Sequence, residues 1–496
     1  MLRNRYRLIY LIVILTLMFR GISYGATVIT DQKVYSKGNL WSKYLNQFPS
    51  TKDDSDLTKA KVIKLSNGIK VLMLTDKELP IARIEIIFKG GTIYDPVQKV
   101  GLAELTGKML RFGGTKSYRP SELDKRLENI GATISTSINK EYGVLIGNSL
   151  SKDLDQLIDY SKEVLFQPRF DKKRFKIAKS NIIESIKDQQ DDSQFLAIQQ
   201  LKKELYSNSP YSYYPSEDSI GHIKINDLKA IWHEFIQPSN LLIGVSGNFD
   251  IGKLQKKLDD TFGLIADNTP PKLTYIKSKI DDEPAGRKYQ KLSLVGINKP
   301  QAVIRLGMIA GKKNDKDYHS WLLLDNILGG NSFSSRLTKK IRVEEGLAYS
   351  VWSYYNGGRN VNGYFILGMS TQTANVKKSL QLIFDELAII REEPVSPDEL
   401  QLAKDSIVNS FILNFDRVEK LLKQWLILDY YDYDDSYLLN FRNNIEEVTS
   451  SQINTIAKRL LSKENFKVVI AGEEKKLIPL ISGFRDIDIV KMNEVD

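Results

Sequence analysis

The 496-residue chain has no cysteine, which excludes disulfides, thiol catalysis and lipid attachment through a cysteine. Histidine is scarce: His222, His233 and His319 are the full set. None has the i, i+4 spacing that places two imidazoles on one helix face to hold a metal, so packed or surface roles are expected. No Ser/His/Asp grouping is legible among the serines, which leaves an independent hydrolase without support. Asp191-Asp192 and Asp432, Asp434 and Asp435 lack calcium-loop spacing. The apolar run at 8–19 is shorter than the roughly 20 residues that span a bilayer. The formal charge is +10, and Arg3, Arg5, Arg7 and Arg20 supply four of those charges with no acid before residue 26. The remaining +6 is too mild to make nucleic acid the main partner.

Hydrophobic residues make up 42% and charged residues 27%, an ordinary globular balance, and the length allows two or more core-forming units. Residues 1–25 read as an export signal: a positive start, an apolar run, then Ser23 and Gly25 as the small residues ahead of a cleavage point. A retained membrane anchor is the alternative. An exported, periplasmic or secreted protein with no stable membrane span is expected. Residues 26–60 are polar and turn-rich and read as a leader arm.

From residue 62 the pattern is strand, Asn67-Gly68 turn, strand, then a strand over 82–88. Helices are expected over 101–112 and 121–130, strands over 132–138 and 143–148, helices over 154–166 and 171–206, a strand over 241–247 and a helix over 251–262. The chain then repeats. Leu157-Ile158 matches Leu382-Ile383, and Ala178-Lys179 matches Ala403-Lys404, both 225 residues on. Leu242 to Gly247 is echoed by Val468 to Gly472. Tandem related halves follow, at 61–266 and 290–496, with a Pro/Gly-bearing linker at 267–289. Hairpin-like strands mixed with long helices make each half an α+β layer pair, a mainly antiparallel sheet with helices on one face. The tyrosine clusters at 211, 213, 214 and 430, 431, 433 read as packing or surface.

The stretch 329–351 is the most informative. Gly329-Gly330 opens it, a helical run over 334–345 follows, Gly346 ends the helix, and 347–351 leaves as a strand. Arg342 and Tyr349 are thereby placed on neighbouring elements, where a cation and a phenol can grip a peptide carbonyl or its oxyanion. The glycines lack the Gly-Lys-Ser/Thr spacing of a P-loop.

Leu328-Gly329-Gly330, Ser334-Ser335-Arg336-Leu337 and Arg342 through Gly346-Leu347-Ala348-Tyr349 resemble the C-terminal-half signature of the M16 (insulinase-like, pitrilysin) metallopeptidase superfamily, in its bacterial M16B form. The resemblance runs over nearly the whole of 62–490. It implies two homologous halves and assigns substrate binding to Arg342 and Tyr349, with Gly329 and Gly330 in a loop beside them. It also places the family's His-x-x-Glu-His zinc motif on the stretch Gly101 to Thr115. There Glu104 stands at the first histidine, Gly107 at the general base and Lys108 at the second histidine, while Ser185 falls at the third ligand. The metal centre is therefore expected to be degenerate, with a Glu104–Lys108 ion pair at i, i+4 in its place. The strand at 132–138 matches the family's peptide-pairing sheet edge.

A kept Arg/Tyr pair beside lost zinc ligands resembles the family's partner-subunit arrangement. The chain is then expected to bind no metal itself and to be inactive alone. It would complete the site of a zinc-bearing M16-like subunit in a heterodimer that degrades or processes peptides. The alternative is an inactive homologue with a purely structural or binding role.

Overall fold

The computed structural model describes residues 60–490 apart from 208, 268–287, 290, 414, 435 and 485. The expected export signal, nearly all of the leader arm and most of the linker lie outside the described residues.

Two six-stranded sheets organise the chain. The first joins β1 (Lys61–Lys64), β2 (Lys70–Thr75), β3 (Ile81–Lys89), β4 (Thr133–Ile138), β5 (Tyr142–Leu150) and β6 (Leu241–Gly247) in the order β1-β2-β6-β3-β5-β4. The second joins β7 (Lys291–Gly296), β8 (Gln301–Ile309), β9 (Val351–Asn356), β10 (Tyr364–Gln372), β11 (Lys467–Gly472) and β12 (Asp486–Val490) in the order β12-β7-β11-β8-β10-β9. The pairs β2·β6, β7·β11 and β7·β12 are parallel and the others antiparallel. β3 and β8 hold equivalent places, as do β6 and β11, so the repeat read from the sequence is a repeat of topology. At the first turn Gly68 takes φ +88°, a conformation that glycine adopts without strain.

Six helices position the site: α1 (Leu102–Phe112), α2 (Lys172–Gln190), α3 (Ser193–Leu205), α4 (Tyr318–Asp325), α5 (Pro397–Ile412) and α6 (Val418–Tyr430). The run expected as one helix over 171–206 is two. It breaks at Asp191 and restarts where the Asp192 carboxylate accepts the Gln194 and Phe195 N–H groups, an N-cap that ends one helix axis and starts another. The break redirects α3 onto the other half. Leu196, Ala197, Leu201 and Leu205 pack on Val295, Val303, Ile366 and Val469 of the second sheet. In return, Leu422, Leu426 and Ile427 of α6 pack on Leu72, Leu74, Ile87 and Leu242 of the first. The approach needs glycine on both sides. A Cβ at Gly307 would lie 2.8 Å from Leu201, and one at Gly244 would lie 2.6 Å from Leu426. Among the described residues, α3 of the first half therefore packs on the second sheet and α6 of the second half on the first.

Candidate functional site

The 329–351 stretch folds around a set of internal clamps. Gly329 is buried, and a Cβ there would lie 2.5 Å from the Ser353 backbone nitrogen on β9, so only glycine allows this approach. Ser353 Oγ donates to the buried Asp325 carboxylate at the end of α4. Burial raises the Asp325 carboxyl to about 6, with the Ser353 hydroxyl and the Tyr355 backbone opposing. Asn331 Oδ1 accepts the N–H groups of Phe333 (3.1 Å) and Ser334 (3.2 Å). Arg336 forms a two-point pair with Glu399, with Nε–Oε1 and Nη2–Oε2 both at 2.9 Å. Glu399 is also the capping-box acid of α5 with Ser396, so the Arg336 fork fixes the segment to a helix start. Leu337 is fully buried. The Ser-Ser-Arg-Leu part of the signature is thus an anchor.

The helical part is wider than an α-helix over Thr338–Glu344. Gly346 ends it at φ +60°, and the Leu347 N–H reaches the Ile341 carbonyl at 3.0 Å. The expected strand over 347–351 is a correction: β9 begins only at Val351. Residues 347–350 form a loop, tied down where Thr371 Oγ1 donates to the Leu347 carbonyl at 2.7 Å. Tyr349 is consequently not on a strand but 89% exposed in that loop. The pairing itself is present, because the Arg342 guanidinium carbon lies 5.5 Å from the centre of the Tyr349 ring, within cation–π range. Among the described residues Arg342 has no carboxylate within ion-pair distance. Phe333 and Val343 are also 84% and 70% exposed, so an apolar rim surrounds the pair.

In the first half, Glu104 and Lys108 lie on α1 one turn apart, and the expected ion pair between them is a further correction. No Glu104–Lys108 contact falls within ion-pair distance. Burial raises the Glu104 carboxyl, while the Lys108 and Lys140 charges oppose. Gly107 faces β4, where a Cβ would lie 2.7 Å from the Ile138 backbone nitrogen and 3.0 Å from the Ser137 carbonyl carbon. Thr136 Oγ1 donates to the Gly107 carbonyl at 2.6 Å. The space into which a longer side chain at 107 would project is filled by strand backbone. Ser185 is exposed on α2 beside the exposed Glu184. One carboxylate, one ammonium, a hydroxyl and a missing side chain do not fit zinc, which takes three or four nitrogen, sulfur or carboxylate donors. Among the described residues no group of three or more His, Asp or Glu could hold a metal ion.

The histidines are scattered. His222 Nδ1 lies 3.4 Å from Asp218 and His233 packs on Trp232 at 4.3 Å. His319 packs against Tyr318 and Phe441, and burial lowers its imidazole to about 4. The two tyrosine clusters are more than packing, because they meet on Glu141 in the β4–β5 turn. Tyr211 and Tyr431 donate to its carboxylate, and Tyr430 donates to its backbone carbonyl at 2.8 Å. No sequence signal joins residues so far apart, although the clustering of tyrosines marked both ends. Among the described residues no helix is long and apolar enough to cross a membrane.

Fold and site together define a class: a duplicated α+β chain with an Arg/Tyr pair in its second half and no His-x-x-Glu-His motif in its first. Comparison with known proteins agrees. The family model described as "Insulinase (Peptidase family M16)" matches residues 70–215, and "Peptidase M16 inactive domain" matches 222–407. The "Non-peptidase homolog YmxG" of Helicobacter pylori is 25% identical over 418 residues, covering 83% of this chain and 94% of that protein. The "Uncharacterized zinc protease YmxG" of Bacillus subtilis is 22% identical over 405 residues, covering 80% and 95%. A crystal structure of a peptidase M16 inactive domain from Pseudomonas fluorescens matches with a TM-score of 0.73 at 24% identity, over 84% of this chain and 98% of that one. The chain belongs to peptidase family M16, as an inactive homologue without the zinc motif.

Proposed function

We propose that this chain is a non-catalytic, peptide-binding subunit that supplies Arg342 and Tyr349 to the site of a zinc-bearing M16-like partner. The observation that carries the reading is the state of that pair. The Arg342 guanidinium lies over the exposed Tyr349 ring, Arg342 itself is half-buried, and among the described residues neither has an acid partner. Meanwhile the Arg336 clamp and Gly346 cap fix the segment that presents them. Donors held in advance at a peptide carbonyl stabilise the oxyanion that forms there. The zinc belongs to the partner, and this chain contributes none. The export signal read at 1–25 supports a complex outside the cytoplasm, periplasmic or secreted.

The test is kinetic. Arg342→Ala, assembled with the zinc-bearing partner, is expected to lower kcat for peptide cleavage by about 100-fold, the cost of one oxyanion donor, with assembly intact. Equal turnover by the wild-type and Arg342→Ala complexes rejects the role and moves the chain to a purely structural or binding one.

A further inference from the structure

Among the described residues, each sheet ends in strands paired on one side only: β1 and β4 in the first sheet, β12 and β9 in the second. Such an edge carries a row of N–H and C=O groups that can pair with another chain. β4 and β9 carry no charged residue. The other two edges are charged, and oppositely: β1 carries Lys61 and Lys64, and β12 carries Asp486 and Asp488. Lys61, Lys64 and Asp488 are exposed, as are Val62 and Ile489 beside them. Among the described residues none of these three charges has an opposite charge within ion-pair distance. Asp259 and Lys64 line one open groove of about 390 Å³ with Lys256, but the Asp259 carboxylate is taken by the Ser66 N–H and hydroxyl, each at 2.7 Å.

The faces of the two edges also match. Val62 lies opposite Leu72, which packs on Leu422 and Leu426 of α6, so Val62 and Lys64 share the face covered by the other half's helix. Asp488 lies opposite Ser293, whose hydroxyl donates to Glu204 of α3 at 2.6 Å, so Asp488 and Val490 share the corresponding face of the second sheet. Ile63 and Ile487 take the opposite faces, because strand side chains alternate. β2 and β7 hold equivalent places, β1 runs against β2, and β12 runs with β7. Laid edge to edge with the α6- and α3-covered faces on one side, β1 and β12 are therefore parallel. The register that sets Lys64 beside Asp488 also sets Ile63 beside Ile487. Pairing like edges instead puts lysine against lysine or aspartate against aspartate, which is unfavourable.

We infer that a second copy of this chain adds its β12 to the β1 edge. Main-chain hydrogen bonds then extend one sheet into the other, and the Lys64–Asp488 pair sets the register. The two surfaces differ, so the contact is head-to-tail and continues from copy to copy unless a ring closes. β12 and β9 lie at opposite ends of the second sheet, so the pairing does not use the end that follows Arg342 and Tyr349. The inference is independent of the peptide-binding role.

Sedimentation velocity on the full chain, without any partner, tests it. A contact through strands of four and five residues is small, so weak association is expected, with the sedimentation coefficient rising between about 1 and 100 µM and the rise suppressed by added salt. Lys64→Glu and Asp488→Lys are each expected to weaken association about tenfold, since each turns an attraction into a repulsion. An equimolar mixture of the two variants restores the acid–base match, and so does one chain carrying both substitutions. Both are expected to associate like wild type, and circular dichroism checks that each variant is folded. A wild-type chain that stays monomeric to about 100 µM overturns the inference and leaves these edges to a strand of another protein. Association unchanged in the single variants overturns it, as do single-variant losses that neither the mixture nor the double variant recovers.

Discussion

Gly107 gives the sharpest test of how tightly α1 is closed against β4. In a helix interior, Gly→Ala ordinarily stabilises by about 1 kcal/mol. Here the added methyl would meet β4 backbone at 2.7 Å and the Ile138 side chain at 2.8 Å. A sheet strand cannot swing aside as a side-chain tip can, and overpacking of this kind costs about 1–3 kcal/mol. The net expectation for Gly107→Ala is a loss of up to about 2 kcal/mol. For a half of about 200 residues unfolding as a unit, that is a fall in Tm of up to about 5 °C. Gly221 is the control: it is exposed on a short helix with nothing within 4 Å of its missing Cβ. Gly221→Ala should be neutral or raise Tm slightly. Differential scanning calorimetry on both variants decides the matter. The same contact predicts that Glu104→His, Gly107→Glu and Lys108→His together destabilise the first half and do not restore a zinc site. A Tm that rises for Gly107→Ala as for Gly221→Ala would refute the reasoning, since β4 would then not be closed against α1.

Three other outcomes are expected. The Asp325 carboxyl is raised to about 6 by burial, so the fold holds a proton that the unfolded chain has lost. Its contribution is complete below about pH 4 and disappears as pH rises through about 6, with a magnitude of a few kcal/mol. Asp325→Asn should therefore gain Tm relative to wild type at pH 7.5 and lose that advantage at pH 4.5; a pH-independent difference counts against it. Glu141→Ala removes the acceptor of the Tyr211 and Tyr431 hydroxyls and should cost about 2–4 kcal/mol. Hydrogen exchange should quicken in the β4–β5 turn and the end of α6, and unchanged protection there would show that Glu141 does not join the halves. Tyr349→Ala, at a site 89% exposed, should change stability by less than about 0.5 kcal/mol while lowering turnover by the mixed complex. A large fall in Tm instead would make Tyr349 a packing residue.

Much of the fold was legible because its signals are local. The strand–Asn-Gly–strand opening, the helix at 154–166 and the strand at 241–247 follow from turn chemistry and periodicity, and the structure has them at or near those places. The duplication was legible as an offset of 225, and α3 and α6 are separated by that offset at both ends. The exchange of these helices between halves was not legible. A helix with one apolar stripe reads the same whichever sheet it covers, and Gly244 and Gly307 report their partners only in three dimensions. The Arg342–Tyr349 pairing was legible through spacing, but the exposure of Tyr349 was not. Alternation in Leu347 to Val351 resembles a strand, and only the Gly346 cap with the Thr371 tether delays β9 to Val351.

The most direct test of the central claim is affinity purification of this chain from its native envelope, with zinc quantified in the chain alone and in whatever it retains. The account predicts a zinc-bearing M16-like subunit in the complex, peptide cleavage by the complex, and both cleavage and zinc absent from the chain by itself. Stoichiometric zinc on the isolated chain, or a complex whose peptide turnover is indifferent to Arg342→Ala, would contradict it.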